Sequence, residues 1–224
     1  VVIHYRSSGA EAAALAEELP SAETIQADLA EDGAPDALAH GLAGRLEDWR
    51  CLVNSAAVFK PDDVTGLDPA TFDTAMSVNT RAPAMLAQSY LAHARAPLGR
   101  RVIQVTDQKL ANPNPDFFSY TMSKHAADSA IRMLAMGATS PRDRAYGLAP
   151  GAILPSHDQS DDEAERSHLL NLRRRRTTPQ DVAEAAVFLA NGDLANGETL
   201  FVDSGQHLLS QPRDVIYLER EGTR

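Results

Sequence analysis

Short β-rich runs alternate with longer helical patterns along this chain, and that alternation leaves few architectures open. Residues 1–5, 24–27, 51–54, 101–105, 144–148 and 199–202 read as strands. Helical patterns fill 9–19, 34–46, 75–94, 119–136 and 179–190, with Asp68-Pro69 and Thr178-Pro179 as start signals. Apolar strands separated by helices must run parallel and be covered on both faces, because each crossover lays a helix on the sheet. The expected fold is therefore α/β, a doubly wound parallel sheet in a single domain over 1–224, with ligands at the carboxyl ends of the strands.

Charge and cysteine content narrow the function. The 224 residues carry a formal net charge of -10, which disfavours nucleic acid and anionic membrane surfaces as partners. The only cysteine, Cys51, opens an apolar run and reads as a buried thiol. A single thiol suits a reducing cytoplasm, and no apolar run is long enough to span a bilayer. The seven histidines form no His-x-x-x-His pair, so no metal is expected.

Chemistry concentrates at Tyr120-x-x-x-Lys124. Four residues apart on a helix places both side chains on one face. A phenol titrates near pH 10, and an adjacent ammonium is expected to lower that value, so that Tyr120 exchanges a proton during hydride transfer. By itself the spacing is better read as a surface lysine beside a half-buried tyrosine.

Further residues, in order, narrow the reading. Asp28-Leu29 ends the second strand, Asn54-Ser55-Ala56-Ala57 the third, Asn79 lies in a helix, and Pro150-Gly151 follows the fifth strand. With Tyr120 and Lys124, this set resembles the short-chain dehydrogenase/reductase family over nearly the whole chain. The resemblance implies a Rossmann-like reductase. Asp28 and Leu29 would lie beside the adenine of the cofactor, with Asn54, Ser55 and Ala56 along it, and Pro150, Gly151 and Ile153 at the nicotinamide. Lys124 would hold the ribose, and Asn79 would support a proton-relay water. The stretch 155–177 would be the substrate loop, and the tail 210–224 would dock on the body or on a neighbouring subunit. Family members are commonly tetramers. The excess alanines of 75–94 and 119–136, Ala127 among them, are therefore expected at subunit contacts, making a homotetramer.

Three positions narrow the substrate and cofactor. The family usually has Ser thirteen residues before the Tyr, but here that residue is Asp107. A serine hydroxyl polarises a ketone or alcohol oxygen, whereas a carboxyl group can pair with ring nitrogens or an exocyclic amine and help relay a proton. Asp-Tyr-Lys resembles the pteridine and dihydromonapterin reductases, which reduce pterin rings and in some cases dihydrofolate. Phe59 stands where those enzymes carry an aromatic over the pterin, and Asp107, Phe59 and Tyr120 are the expected substrate contacts. Arg6-Ser7 ends the first strand where an NAD enzyme carries an acid, which points to NADPH.

The run 173–176, four arginines, reads as a solvated helix end, with an anionic substrate tail as the sharper alternative. No Gly-x-Gly-x-x-Gly or Gly-x-x-x-Gly-x-Gly occurs. The resemblance places such a strand–turn–helix unit ahead of residue 1, its strand between those at 1–5 and 51–54. Without it the sheet is expected to lose register there. Two other readings stand beside pterin reduction: reduction of a keto-acyl or sugar carbonyl, and a non-catalytic dinucleotide- or pterin-binding protein.

Overall fold

A computed structural model describes residues 1–156, 158–192 and 194–222. Strand β1 (Val2–Tyr5) crosses through α1 (Gly9–Glu17) to β2 (Glu23–Gln26), and the two strands pair in parallel. Helix α2 (Ala34–Arg45) leads to β3 (Cys51–Asn54). Helices α3 (Pro69–Met76) and α4 (Ala82–His93) then lead to β4 (Arg101–Val105). Helix α5 (Phe118–Met136) crosses to β5 (Arg144–Pro150). Helices α6 (Asp161–Ser167) and α7 (Pro179–Asn191) precede β6 (Thr199–Val202), and α8 (Val215–Gly222) follows it. Strands β3, β4, β5 and β6 form one parallel sheet in that order.

This is the Rossmann-type α/β plan. Its strands form two sheets: the β1–β2 pair and the four-stranded β3–β6 sheet. The interruption falls between β1 and β3, where loss of register was expected. Strand β3 consequently has one edge outside any ladder, and Val53, expected in a fully buried strand, is 47% exposed. The β1–β2 unit is joined to the rest through α2. Ala39 packs with Leu29 and, from α4, with Ala82 and Leu86.

Strand β4 anchors the larger sheet. On one face Val102 packs with Ala87, Tyr90, Ile131 and Ala145; on the other, Ile103 packs with Tyr146, Leu148 and Leu189. Cys51 is half-buried, and burial pushes its thiol up to about 11, so it is protonated at neutral pH.

Local chemistry sets the helix starts. Asp68 caps α3 by accepting from the Thr71 N–H at 2.9 Å, with Pro69 in the first turn. Thr178 and Asp181 form a capping box on α7, as Ser160 and Glu163 do on α6. The expected helix over 75–94 is one run with a π-helical turn at Ser77–Arg81, which widens the backbone around Asn79. Helices α6 and α8 were not anticipated from hydrophobic periodicity; both are short and lie where loop and tail were expected. Thr223 and Arg224 of the tail and His157 of the 155–177 stretch lie outside the described residues.

Ala127, expected at a subunit contact, is instead buried in its own fold, beside Val102 and Ile131. The exposed apolar residues of α5 are Met122, Met133 and Met136. Among the described residues, no helix is long and apolar enough to cross a membrane.

A Cβ on Gly147 of β5 would sit 2.8 Å from Thr199 Cβ on β6. Gly147→Ala should therefore overpack the β5–β6 pairing and destabilise the protein by ~1–3 kcal/mol. Thermal unfolding checks this, and an unchanged midpoint would show that the two strands part without cost.

Candidate active site

The larger sheet ends at a cavity of about 450 Å³. Its walls come from the carboxyl ends of β3, β4 and β5, from α5, and from the segment leading into α8. Ser55, Phe59, Asp107, Tyr120, Lys124, Pro150, Gly151 and Ile153 of the expected site line it. Parallel register brings them together: Asn54 pairs with Gln104, and Val105 with Leu148, so the chain leaves three strands along one edge. Thr106 fixes the exit from β4, its N–H donating to the Leu148 carbonyl at 2.7 Å.

Tyr120 Oη donates to Asp107 Oδ2 at 2.7 Å. The other carboxyl oxygen, Oδ1, accepts from the Lys109 N–H at 2.9 Å, so both oxygens of Asp107 are held. Lys124 Nζ lies 5.5 Å from the centre of the Tyr120 ring and donates to the Val105 carbonyl at 2.8 Å. Burial raises the Asp107 carboxyl above its ordinary range, against the pull of Lys109. Burial also lowers the Lys124 ammonium to about 8.

Tyr120 departs from expectation. Lys124 was expected to lower its pKa, but burial and then the facing Asp107 carboxylate hold the phenol well above its usual value. The ammonium contacts the ring and a carbonyl, while the phenol oxygen faces an acid. Tyr120 is therefore a neutral phenol at neutral pH.

Asn79 clamps the loop carrying Phe59. Its Oδ1 accepts from the Val58 N–H at 2.8 Å, and its Nδ2 donates to the Val58 carbonyl and to Ser123 Oγ, each at 3.0 Å. Both amide donors are thus engaged within the protein, leaving a relay water only a lone pair on Oδ1. Phe59 stacks on Phe117 with centroids 4.0 Å apart and meets Tyr120 edge to face at 4.7 Å. Phe117 has φ 52°, the left-handed region, at the entry to α5.

The remaining expected cofactor residues lie elsewhere. Asn54 is buried and its Nδ2 donates to the Pro83 carbonyl at 3.2 Å. Ala56 is exposed beside the cavity-lining Ser55 and Ala57. Arg6 and Ser7 are exposed at the end of β1. Asp28 Oδ1 accepts from the Ala30 N–H at 2.9 Å, and Leu29 is buried in the α2–α4 core. None of the arginines 173–176 lines the cavity; Arg175 pairs with Asp181 and Arg176 with Glu165.

Sequence reasoning missed Lys109, Phe117, Asp214 and Ile216. Lys109 and Phe117 flank Asp107 and Tyr120 in the chain and were open to notice. Asp214 and Ile216 reach the cavity only through folding of the tail.

Comparison with known proteins places the chain. The family model described as Enoyl-(Acyl carrier protein) reductase matches residues 1–207. Among solved structures, FolM alternative dihydrofolate reductase 1 from Brucella canis, complexed with NADP, superposes with a TM-score of 0.86 at 31% identity, covering 96% of this chain and 86% of that one. Pteridine reductase 1 of Leishmania tarentolae is 26% identical over 93% of this chain and 88% of its own length. NADPH-dependent aldehyde reductase 2 of Arabidopsis thaliana is 28% identical over 69% of this chain, which spans 59% of that relative.

Lys124 predicts a pH effect on stability. Between about pH 8 and 10 the unfolded chain keeps a proton that native Lys124 has lost, so stability gains with rising pH, by up to about 1.4 kcal/mol per unit. The gain is absent below about pH 8. Cys51 acts with opposite sign above pH 9, but equally in wild type and Lys124→Met. The stability of wild type relative to Lys124→Met should therefore climb from pH 8 to 10 in urea denaturation. Parallel curves would place the Lys124 titration outside this window.

Proposed function

The chain belongs to the short-chain dehydrogenase/reductase family, and from that premise we propose that it is an NADPH-dependent reductase of a pterin ring. It takes a dihydropterin to the tetrahydropterin, with dihydrofolate as a further substrate. The observation that carries this reading is the Tyr120–Asp107 hydrogen bond at the wall of the cavity, with Phe59 edge-on to the tyrosine. Similarity to FolM and to pteridine reductase 1 supports it.

Lys124 suits the nicotinamide ribose. Among the described residues its buried ammonium has one hydrogen-bond acceptor, the Val105 carbonyl, and therefore donors left for ribose hydroxyls. Arg6 and Ser7, exposed at the end of β1, suit the 2′-phosphate, a dianionic group that a guanidinium binds well. Asp28 and Leu29 would lie beside the adenine, with Asn54 and Ala56 behind the Ser55 wall.

NADPH, when bound, supplies a hydride to the ring. The Asp107–Tyr120 pair supplies the matching proton to the adjacent ring nitrogen. Burial keeps the Tyr120 phenol neutral, and so able to give a proton, and raises the pKa of the Asp107 carboxyl that accepts from it, which makes Asp107 a better proton acceptor and relay. Phe59 gives the flat ring an aromatic partner, and Asn79 keeps the Val58–Phe59 backbone in place. The similarity to aldehyde reductase 2 favours a second reading, reduction of a carbonyl at the same pair. The assembly we propose is a homotetramer in which α5 presents Met122, Met133 and Met136 to a second copy; light scattering reads its mass directly.

An NADPH-oxidation panel with dihydromonapterin, dihydrobiopterin, dihydrofolate and a short aldehyde tests the reading. Dihydropterins should turn over fastest, and turnover confined to the aldehyde would replace this reading with the second. Tyr120→Phe should cut turnover by a factor on the order of 10² or more without unfolding the protein. Asp107→Ser should lower pterin turnover more than NADPH binding. In the same assay Arg6→Ala should weaken NADPH by ~1–3 kcal/mol and leave NADH unchanged; equal loss of both would move Arg6 away from the phosphate.

A further inference from the structure

Lys109 is 3% exposed, an unusual place for an ammonium. It lies two residues after Asp107, in the 3₁₀ turn Gln108–Leu110, and lines the same cavity. Its Nζ pairs with Asp214 Oδ2 at 2.7 Å and donates to Asn114 Oδ1 at 3.1 Å. The nitrogen also lies 5.6 Å from the centre of the Phe117 ring. A buried pair of this kind gives little net stability, because desolvation offsets most of the attraction. Its position suggests what it does instead.

Asp214 belongs to the segment entering α8, more than a hundred residues along the chain. Two further contacts seat that segment. Arg213 pairs with Asp116 at 2.8 Å, and the Asp214 N–H donates to Asp116 Oδ2 at 2.8 Å. Asp214 Oδ1 accepts from the Ile216 N–H at 3.0 Å, so one carboxylate both opens α8 and neutralises Lys109. Ile216 packs with Phe117 and Tyr120. Helix α8 is also held by ion pairs of Arg166 with Glu219 and of Arg220 with Glu163 and Asp158. The tail therefore grips the loop 108–117 that connects Asp107 to Tyr120.

We propose that Lys109 and Asp214 form a positioning pair for Asp107, through which the docked C-terminal segment sets the carboxyl group that hydrogen-bonds Tyr120. The path is continuous: Tyr120 Oη to Asp107 Oδ2, Asp107 Oδ1 to the Lys109 N–H, and Lys109 Nζ to Asp214. Besides burial, three groups act directly on the Asp107 carboxyl: Lys109 and Lys124 favour its ionised form, and the Tyr120 hydroxyl donates to it. Asp214 reaches it only through Lys109, whose charge it offsets. Asp116 is engaged with Arg213, and among the described residues Lys109 is the cation paired with Asp214. The consequence for turnover rests on the reading of Asp107 as a proton carrier; the effect on the carboxyl group itself does not.

The test reads Asp107 directly, by carbon NMR titration of protein labelled at aspartate carboxyls, with Asp107→Asn to assign the signal. No substrate is needed, so lack of pterin turnover would defeat the functional reading and leave this measurement standing. Lys109→Gln removes the cation and should raise the Asp107 midpoint by roughly one pH unit. Asp214→Asn leaves the cation uncompensated and should lower the midpoint. Opposite shifts are the signature, since a merely structural pair would disturb the site in one direction. Lys109→Gln, whose amide still offers a donor to Asn114, carries the test alone if Asp214→Asn fails to fold. An unmoved midpoint in Lys109→Gln, or shifts of the same sign in both variants, would overturn the proposal. In wild type and variants that fold, the acid limb of any turnover profile should follow the same shifts.

Discussion

The pairing of β4 with β3 and β5 is the constraint on which the rest depends. A parallel strand has no hairpin to stabilise it and is secure only when both faces are covered. Val102 and Ile103 meet that condition by burying against α4 and α5 on one side and α7 on the other. Once the register is set, the carboxyl ends of three strands open at one edge, and Ser55, Asp107 and Gly151 have nowhere else to be. The smaller β1–β2 sheet is held by a different device, the packing of α2 on α4, and it carries the exposed Arg6 and Ser7.

The site is built against stability. Asp107, Tyr120 and Lys124 are all shifted toward their neutral forms by burial, each a sign of charge held away from water. Two features keep such a site folded. Asn79, set in a π turn, ties the Phe59 loop to α5 through Val58 and Ser123. The C-terminal segment places Ile216 against Phe117 and Tyr120 and brings Asp214 to the buried Lys109. Polar groups that would each be costly to bury unpaired are thereby satisfied by one another.

Amphipathic period and capping chemistry made most elements legible. The strands at Cys51–Asn54, Arg101–Val105 and Thr199–Val202 lie where their apolar runs put them. Helix α6 went unread because seven residues show no period, although its Ser160–Glu163 capping box was visible in the chain. Helix α8 went unread because its apolar residues Val215, Ile216 and Tyr217 are consecutive and suggest no face until the tail docks.

By itself the sequence determined the parallel α/β plan, the shared face of Tyr120 and Lys124, and the arrival of Asp107 at the end of β4. Each follows from spacing along a helix or strand, which backbone geometry translates directly into position. Only the tertiary structure decided the rest: the inward turn of Ala127, the stacking of Phe59 on Phe117, and the meeting of Lys109 with Asp214. It also reversed the direction of the Tyr120 shift. An acidity constant depends on which charges face the group and how much water reaches it. Those are set by contacts between distant parts of the chain, and no local pattern of residues encodes them.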